Sequence, residues 1–149
     1  SFIRHLNSIF YGAFVLRLLL FCLLVFLSKY IFLIYKLDNN AINLFIYYIL
    51  GLEYVIAGII LTYGIVLRLE KNTHKILKIG FVRFAIELVL IYLLLFDYGI
   101  MAAAIILFIA RYAETLLAYI FVRKQNLLKS SGLILACFLF PFASILINF

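Results

Sequence analysis

The chain has 149 residues, of which 69% are hydrophobic and 13% charged, with a net charge of +7. Soluble domains are about half apolar and about a quarter charged, so a soluble globular domain and a disordered chain are both excluded. The basic residues lie between long apolar runs rather than in one patch, a pattern of membrane topology and not of nucleic-acid binding.

Polar breaks divide the chain into five apolar segments. The first runs from about Ile9 to Tyr35 and ends at Lys36-Leu-Asp-Asn-Asn40. The second, about 42–67, ends at Arg68-Leu-Glu-Lys-Asn-Thr-His-Lys75, the most charged stretch of the sequence. The third, about 76–96, passes through a tight turn at Asp97-Tyr98-Gly99 into the fourth, about 100–122. The linker Arg123-Lys-Gln-Asn-Leu-Leu-Lys129 leads to the fifth, about 132–149. Each segment has the length that a helix rising about 1.5 Å per residue needs to cross a bilayer. Strands are excluded because the Leu, Ile and Phe runs lack dyad alternation, and an unpaired backbone cannot sit in lipid. The predicted fold is an all-α integral membrane protein: one transmembrane domain over residues 1–149, with about five helices in an antiparallel bundle.

The loops predict the orientation. Arg4, the cluster Arg68, Lys71, Lys75 and Lys78, and the cluster Arg123, Lys124 and Lys129 alternate with a side that holds only Lys36 near Asp38, and Asp97. Lys/Arg excess marks the cytoplasmic side, so the amino end is predicted inside and the Lys36 and Asp97 turns outside. Tyr35, Tyr47, Tyr48 and Tyr98 would then lie near the outer interface, where amphipathic rings prefer to sit.

Seven ionisable residues fall inside the apolar segments: Arg17, Lys29, Glu53, Arg83, Glu87, Arg111 and Glu114. Each costs about 2.5 to 3.5 kcal/mol at a helix centre on insertion scales. Lys29 and Arg83 are near enough to a helix end to snorkel. Arg83 and Glu87 are four apart and Arg111 and Glu114 three apart, so each pair shares a helix face and partly neutralises itself. One reading is a pair of intrahelical salt bridges that serve structure. The other is a polar cavity lined by helices one to four. There Arg17, Arg83 and Arg111 would bind an anionic substrate, and Glu53, Glu87 and Glu114 would tune charge or couple protons.

Small residues (Gly51, Ala57, Gly58 and Gly64 in the second segment, Gly99 and Ala102 to Ala104 in the fourth) suit close helix packing. Pro141 predicts a kink in the fifth helix. Cys22 and Cys137 read as buried free thiols. His5 and His74 lie near helix ends, and no metal-ligand spacing, nucleophile motif or phosphate loop is present. No catalytic residue, metal or cofactor is therefore expected. The basic linkers suit anionic membrane lipids.

Two stretches carry a family resemblance. They are Leu61-Thr-Tyr-Gly-Ile-Val-Leu-Arg-Leu-Glu-Lys71 with its basic turn, and Phe96-Asp-Tyr-Gly-Ile-Met-Ala-Ala-Ala-Ile105. Together with the closing Arg123-Lys124 they resemble the repeating unit of the multidrug/oligosaccharidyl-lipid/polysaccharide exporters, which include O-antigen-type and lipid II flippases and multidrug and toxin extruders. The resemblance covers about residues 45–129. Met101 departs from it, standing where the family usually has Gly. It implies a bacterial or archaeal plasma-membrane protein that flips an anionic undecaprenyl-linked oligosaccharide by alternating access. In such a protein Arg17, Arg83 and Arg111 would match the cationic cavity. Family members have twelve to fourteen helices, and the chain starts at Ser1 and ends in apolar residues, so it reads as a fragment that works with the remainder of a longer transporter. The competing expectations are a small non-catalytic membrane scaffold subunit and a multidrug exporter of the same superfamily.

Overall fold

The computed structural model describes residues 2–38 and 40–123. They form three helical elements: α1 (Phe2–Ile34), α2 (Ala41–Leu69) and a long third element, Thr73–Arg123. All three are long and apolar enough to cross a membrane. The predicted fifth helix with Pro141 and Cys137, and the linker after Arg123, lie outside the described residues.

The third element is not one straight rod. Gly99 inside it has φ 56° and ψ −131°, which no helix contains. Arg83 and Glu114, 31 residues apart, nevertheless form an ion pair at 3.3 Å. On a continuous helix they would be separated by about 46 Å. The element therefore doubles back at Gly99 into two antiparallel helices, α3 (73–98) and α4 (100–123). The predicted turn at 97–99 is thus a break at a single residue, with helix directly on both sides. Only glycine is at ease in that region of backbone space.

The other two turns stop their helices without glycine. Lys36 and Lys71 adopt left-handed φ values of 52° and 56°. After α1, the Leu37 amide donates to the Phe32 carbonyl at 2.9 Å and that of Lys36 to Leu33 at 3.3 Å. After α2, Asn72 donates to Leu67 at 3.1 Å and Lys71 to Arg68 at 2.9 Å. Both are Schellman closures, which satisfy the last carbonyls of a helix and usually recruit glycine at the left-handed position. The next helix start is capped as firmly: the Asn40 side chain accepts the Asn43 amide at 2.8 Å, and the Asn43 side chain donates back to the Asp38 carbonyl at 2.8 Å.

Packing divides the helices into two kinds. α2 and α4 are the inner pair: Ile49, Val55, Ile56, Ile59 and Tyr63 of α2, and Ala104, Phe108, Ala110 and Ala118 of α4, are buried. α1 and α3 flank them and turn large apolar side chains outward, among them Phe26 at 78% exposure and Phe96 at 88%. Such a surface is untenable in water and normal against lipid. Cys22 lies on this outward face, exposed rather than buried as expected, because only a narrow stripe of α1 meets α2.

That stripe is set by glycines. A Cβ on Gly51 would collide with the Phe21 ring, and one on Gly58 with the Arg17 Cδ, so both positions admit an α1 side chain against the α2 backbone. Near the basic end the rings of Phe10, Tyr63 and Tyr119 run from α1 through α2 to α4, at centroid distances of 6.2 and 6.3 Å. At the opposite end the Tyr47 hydroxyl donates to the Leu24 carbonyl at 2.9 Å, and its ring lies 5.5 Å from that of Phe32. Tyr47, expected as an interfacial anchor, thus also ties α1 to α2, while Tyr35 and Tyr98 are exposed.

Two substitutions test this account of the turns. Gly99→Ala should destabilise the protein by about 1 to 3 kcal/mol, because alanine must occupy a glycine-only conformation. Lys71→Gly should stabilise it by about 1 kcal/mol by relieving a left-handed lysine. Unfolding in mixed detergent micelles reads both, with opposite signs expected.

Candidate functional site

The hairpin at Gly99 fixes which charges meet. With the turn at 98–99, antiparallel pairing brings Arg83 opposite Glu114. Measured along the helices from the basic end, Arg83, Glu87, Arg111, Glu114 and Glu53 fall at depths of about 13 to 24 Å. The helices α2 to α4 are each about 36 to 44 Å long, so all five lie in the middle third of their helices.

They form one network. Arg83 Nε donates to Glu87 Oε1 at 2.7 Å along α3, and its Nη1 reaches Glu114 Oε2 at 3.3 Å. The same oxygen of Glu114 accepts Arg111 Nη1 at 2.7 Å, and Arg111 Nε donates to Glu53 Oε1 at 2.7 Å. The order Glu87–Arg83–Glu114–Arg111–Glu53 alternates in sign and links α3, α4 and α2. Glu114 is its centre and the most enclosed member, with its side chain 14% exposed. Thr115 Oγ1 donates to the Arg111 carbonyl at 2.7 Å, satisfying an acceptor next to the network.

Arg17 stands apart. Its Nη1 donates to the Tyr54 carbonyl at 2.8 Å, and its guanidinium lies 4.6 Å from the centroid of the Tyr54 ring. It crosses α2 at Gly58 and forms no ion pair with a carboxylate among the described residues. A backbone acceptor and an aromatic face are the two ways to hold a guanidinium in apolar surroundings without an opposing charge.

The structure thus brings together five of the six residues singled out from sequence: Glu53, Arg83, Glu87, Arg111 and Glu114. It holds the sixth, Arg17, on the α1 side of α2. The two intrahelical pairs expected from spacing are present. Arg83 does not snorkel to the membrane surface but points at Glu114. The interhelical links were not read from the sequence: the fold at Gly99 sets Arg83 and Glu114 at the same depth, and Arg111 reaches Glu53 of α2. Spacing alone gave no sign of Tyr54 as the partner of Arg17, because its contribution is a carbonyl and a ring face.

Chemically, the network holds three carboxylates and two guanidiniums, and the Arg17 charge across α2 brings the six to neutrality. Among the described residues no group of His, Cys, Asp and Glu is placed to hold a metal ion. Comparison with protein families, curated protein sequences and solved structures finds no match to this chain.

Removing one member should expose the network's cooperativity. Arg111→Gln leaves Glu53 and Glu114 without their shared cation and should cost about 3 kcal/mol. Adding Glu53→Gln should cost much less than a second independent loss, as a double-mutant cycle would read. An Arg83/Glu87 exchange would be silent for an isolated pair. Here it should destabilise the fold, because it sets a carboxylate against Glu114.

Proposed function

We propose that this chain is part of a membrane transporter that flips a lipid-linked oligosaccharide by alternating access, in the manner of the polysaccharide exporters its sequence resembles. The observation that carries the proposal is the five-residue charge network in the middle of the apolar depth, spread over three helices. Ionisable groups at that depth are expensive to insert, and in membrane proteins they mark substrate and ion pathways.

Glu114 gives the network a way to work. Its Oε2 lies between two guanidiniums from different helices, the position a phosphate oxygen would take. A diphosphate headgroup would displace this carboxylate and occupy Arg83 and Arg111, with Glu114 returning after release. The binding pair is then never bare in either state, which keeps the cost of the empty transporter low. Arg17, held by a carbonyl and a ring rather than a carboxylate, is the cation free to follow the substrate. The amino end and the basic loops lie on the cytoplasmic side in this reading, where the lipid-linked sugar would be taken up. A multidrug exporter of the same superfamily would use the same carboxylates for a cationic cargo.

The second reading is a non-catalytic scaffold subunit. It is favoured by one observation: Arg83 and Arg111 are both fully engaged with carboxylates.

Replacing Glu53, Arg83, Glu87, Arg111 and Glu114 together by Gln separates the two. Amides keep a hydrogen-bonded, uncharged network, and neutral replacement of a buried ion network is often tolerated. Under the transport reading, the polypeptide carrying this chain inserts and folds but the cells lose surface polysaccharide. Undiminished export would overturn that reading and leave the scaffold.

A further inference from the structure

A second feature lies between the network and the basic surface. A cleft of about 330 Å³ opens between α2, α3 and α4. Ile65, Ile76 and Ile79 supply apolar wall, exposed Arg68 in the last turn of α2 stands at its mouth, and Arg111 and Glu114 close its inner end. Gly64 of α2 and Gly80 of α3 also line it, and a Cβ on either would meet no atom within 4 Å. These glycines differ in kind from Gly51 and Gly58, whose missing side chains admit a neighbouring helix. A mid-helix glycine costs roughly 0.5 to 1 kcal/mol relative to alanine, and here the return is open volume rather than contact.

The lining residues of α2, Ile60 to Arg68, extend about 12 Å along the helix axis, within the roughly 15 Å that one leaflet's acyl chains reach in a hydrocarbon core about 30 Å thick. Its walls suit an alkyl chain, and among the described residues that line it the one charge at the surface end is the cation of Arg68. Basic pockets between transmembrane helices on the Lys/Arg-rich side select anionic lipid headgroups.

We propose that this cleft is a site for one anionic phospholipid of the surrounding leaflet, with its phosphate on Arg68 and an acyl chain along the isoleucine wall. The chain covers the Arg111–Glu114 pair and keeps water from it, which strengthens the pair in the lower local dielectric. The site does not depend on the transport reading, because lipid retention is measured without export.

The test is native mass spectrometry of the polypeptide carrying this chain, released from detergent with equal amounts of dioleoylphosphatidylglycerol and dioleoylphosphatidylcholine. The wild type should retain the anionic lipid about fivefold over the zwitterionic one, the selectivity expected of one cation at a membrane surface. Arg68→Gln should bring the two near parity. Gly64→Phe and Gly80→Phe should each fill the cleft and lose the lipid. Gly12→Phe, where a Cβ also meets open space but on α1, should keep it. The proposal fails if the wild type shows no preference, if Arg68→Gln retains it, or if Gly12→Phe loses as much lipid as Gly64→Phe. It also fails if inorganic phosphate alone binds as well as the lipid, since the acyl chain would then not be an occupant. If Gly64→Phe does not fold, Gly80→Phe and Arg68→Gln decide. Loss of lipid with export intact would uphold the site as one independent of transport.

Discussion

A charge in hydrocarbon must find an opposite charge or a dense set of dipoles, and this requirement organises the described part of the chain. Glu114 is where it acts most strongly. One carboxylate oxygen accepts from two arginines on two helices, so α3 and α4 cannot slide past each other without breaking a bond at the centre. Arg111 extends the constraint to α2 through Glu53. The apolar contacts around the network are many but undirected, since lipid is as good a neighbour for leucine as another helix is. The ion pairs supply the register that such packing lacks.

Arg17 shows the other solution to the same problem. It has no carboxylate partner among the described residues and relies on a carbonyl and a ring, reached through the gap at Gly58. A glycine selected for close packing elsewhere is here what makes a guanidinium tolerable in the membrane. The glycines of α2 thus serve three ends along one helix: Gly51 admits a ring, Gly58 a cation, and Gly64 leaves space.

Much of this was legible in the sequence. Hydropathy and polar breaks located the described helices to within a few residues except at the start of α1, which begins at Phe2 rather than near Ile9. Position within the apolar runs picked out seven charges, six of them as cavity candidates with Arg83 expected to snorkel, and spacing gave both intrahelical pairs. What remained hidden has common causes. The Schellman closures at Lys36 and Lys71 carry no glycine signal, so a sequence reading sees only a polar break. The exposed Cys22 follows from α1 being a peripheral helix, which hydropathy cannot distinguish from a central one when the solvent is lipid. The role of Tyr54 rests on a carbonyl, which every residue has, and on a ring face, which spacing of charges does not reveal. The cleft is a property of three helices at once, and its glycines look like all other small residues in a membrane span.

The turn at Lys71 divides the described chain into two hairpins, the second of them bent at Gly99, and their charges divide with it. The first hairpin, α1 with α2, carries Arg17 and Glu53 in the apolar depth. The second, α3 with α4, carries Arg83, Glu87, Arg111 and Glu114. Each sums to zero. Single helices with an uncompensated charge are poor candidates for transfer into lipid, whereas a pair that enters together presents a neutral load. The one ion pair among the described residues that joins the two hairpins, Arg111 with Glu53, is therefore the contact through which neither is complete without the other.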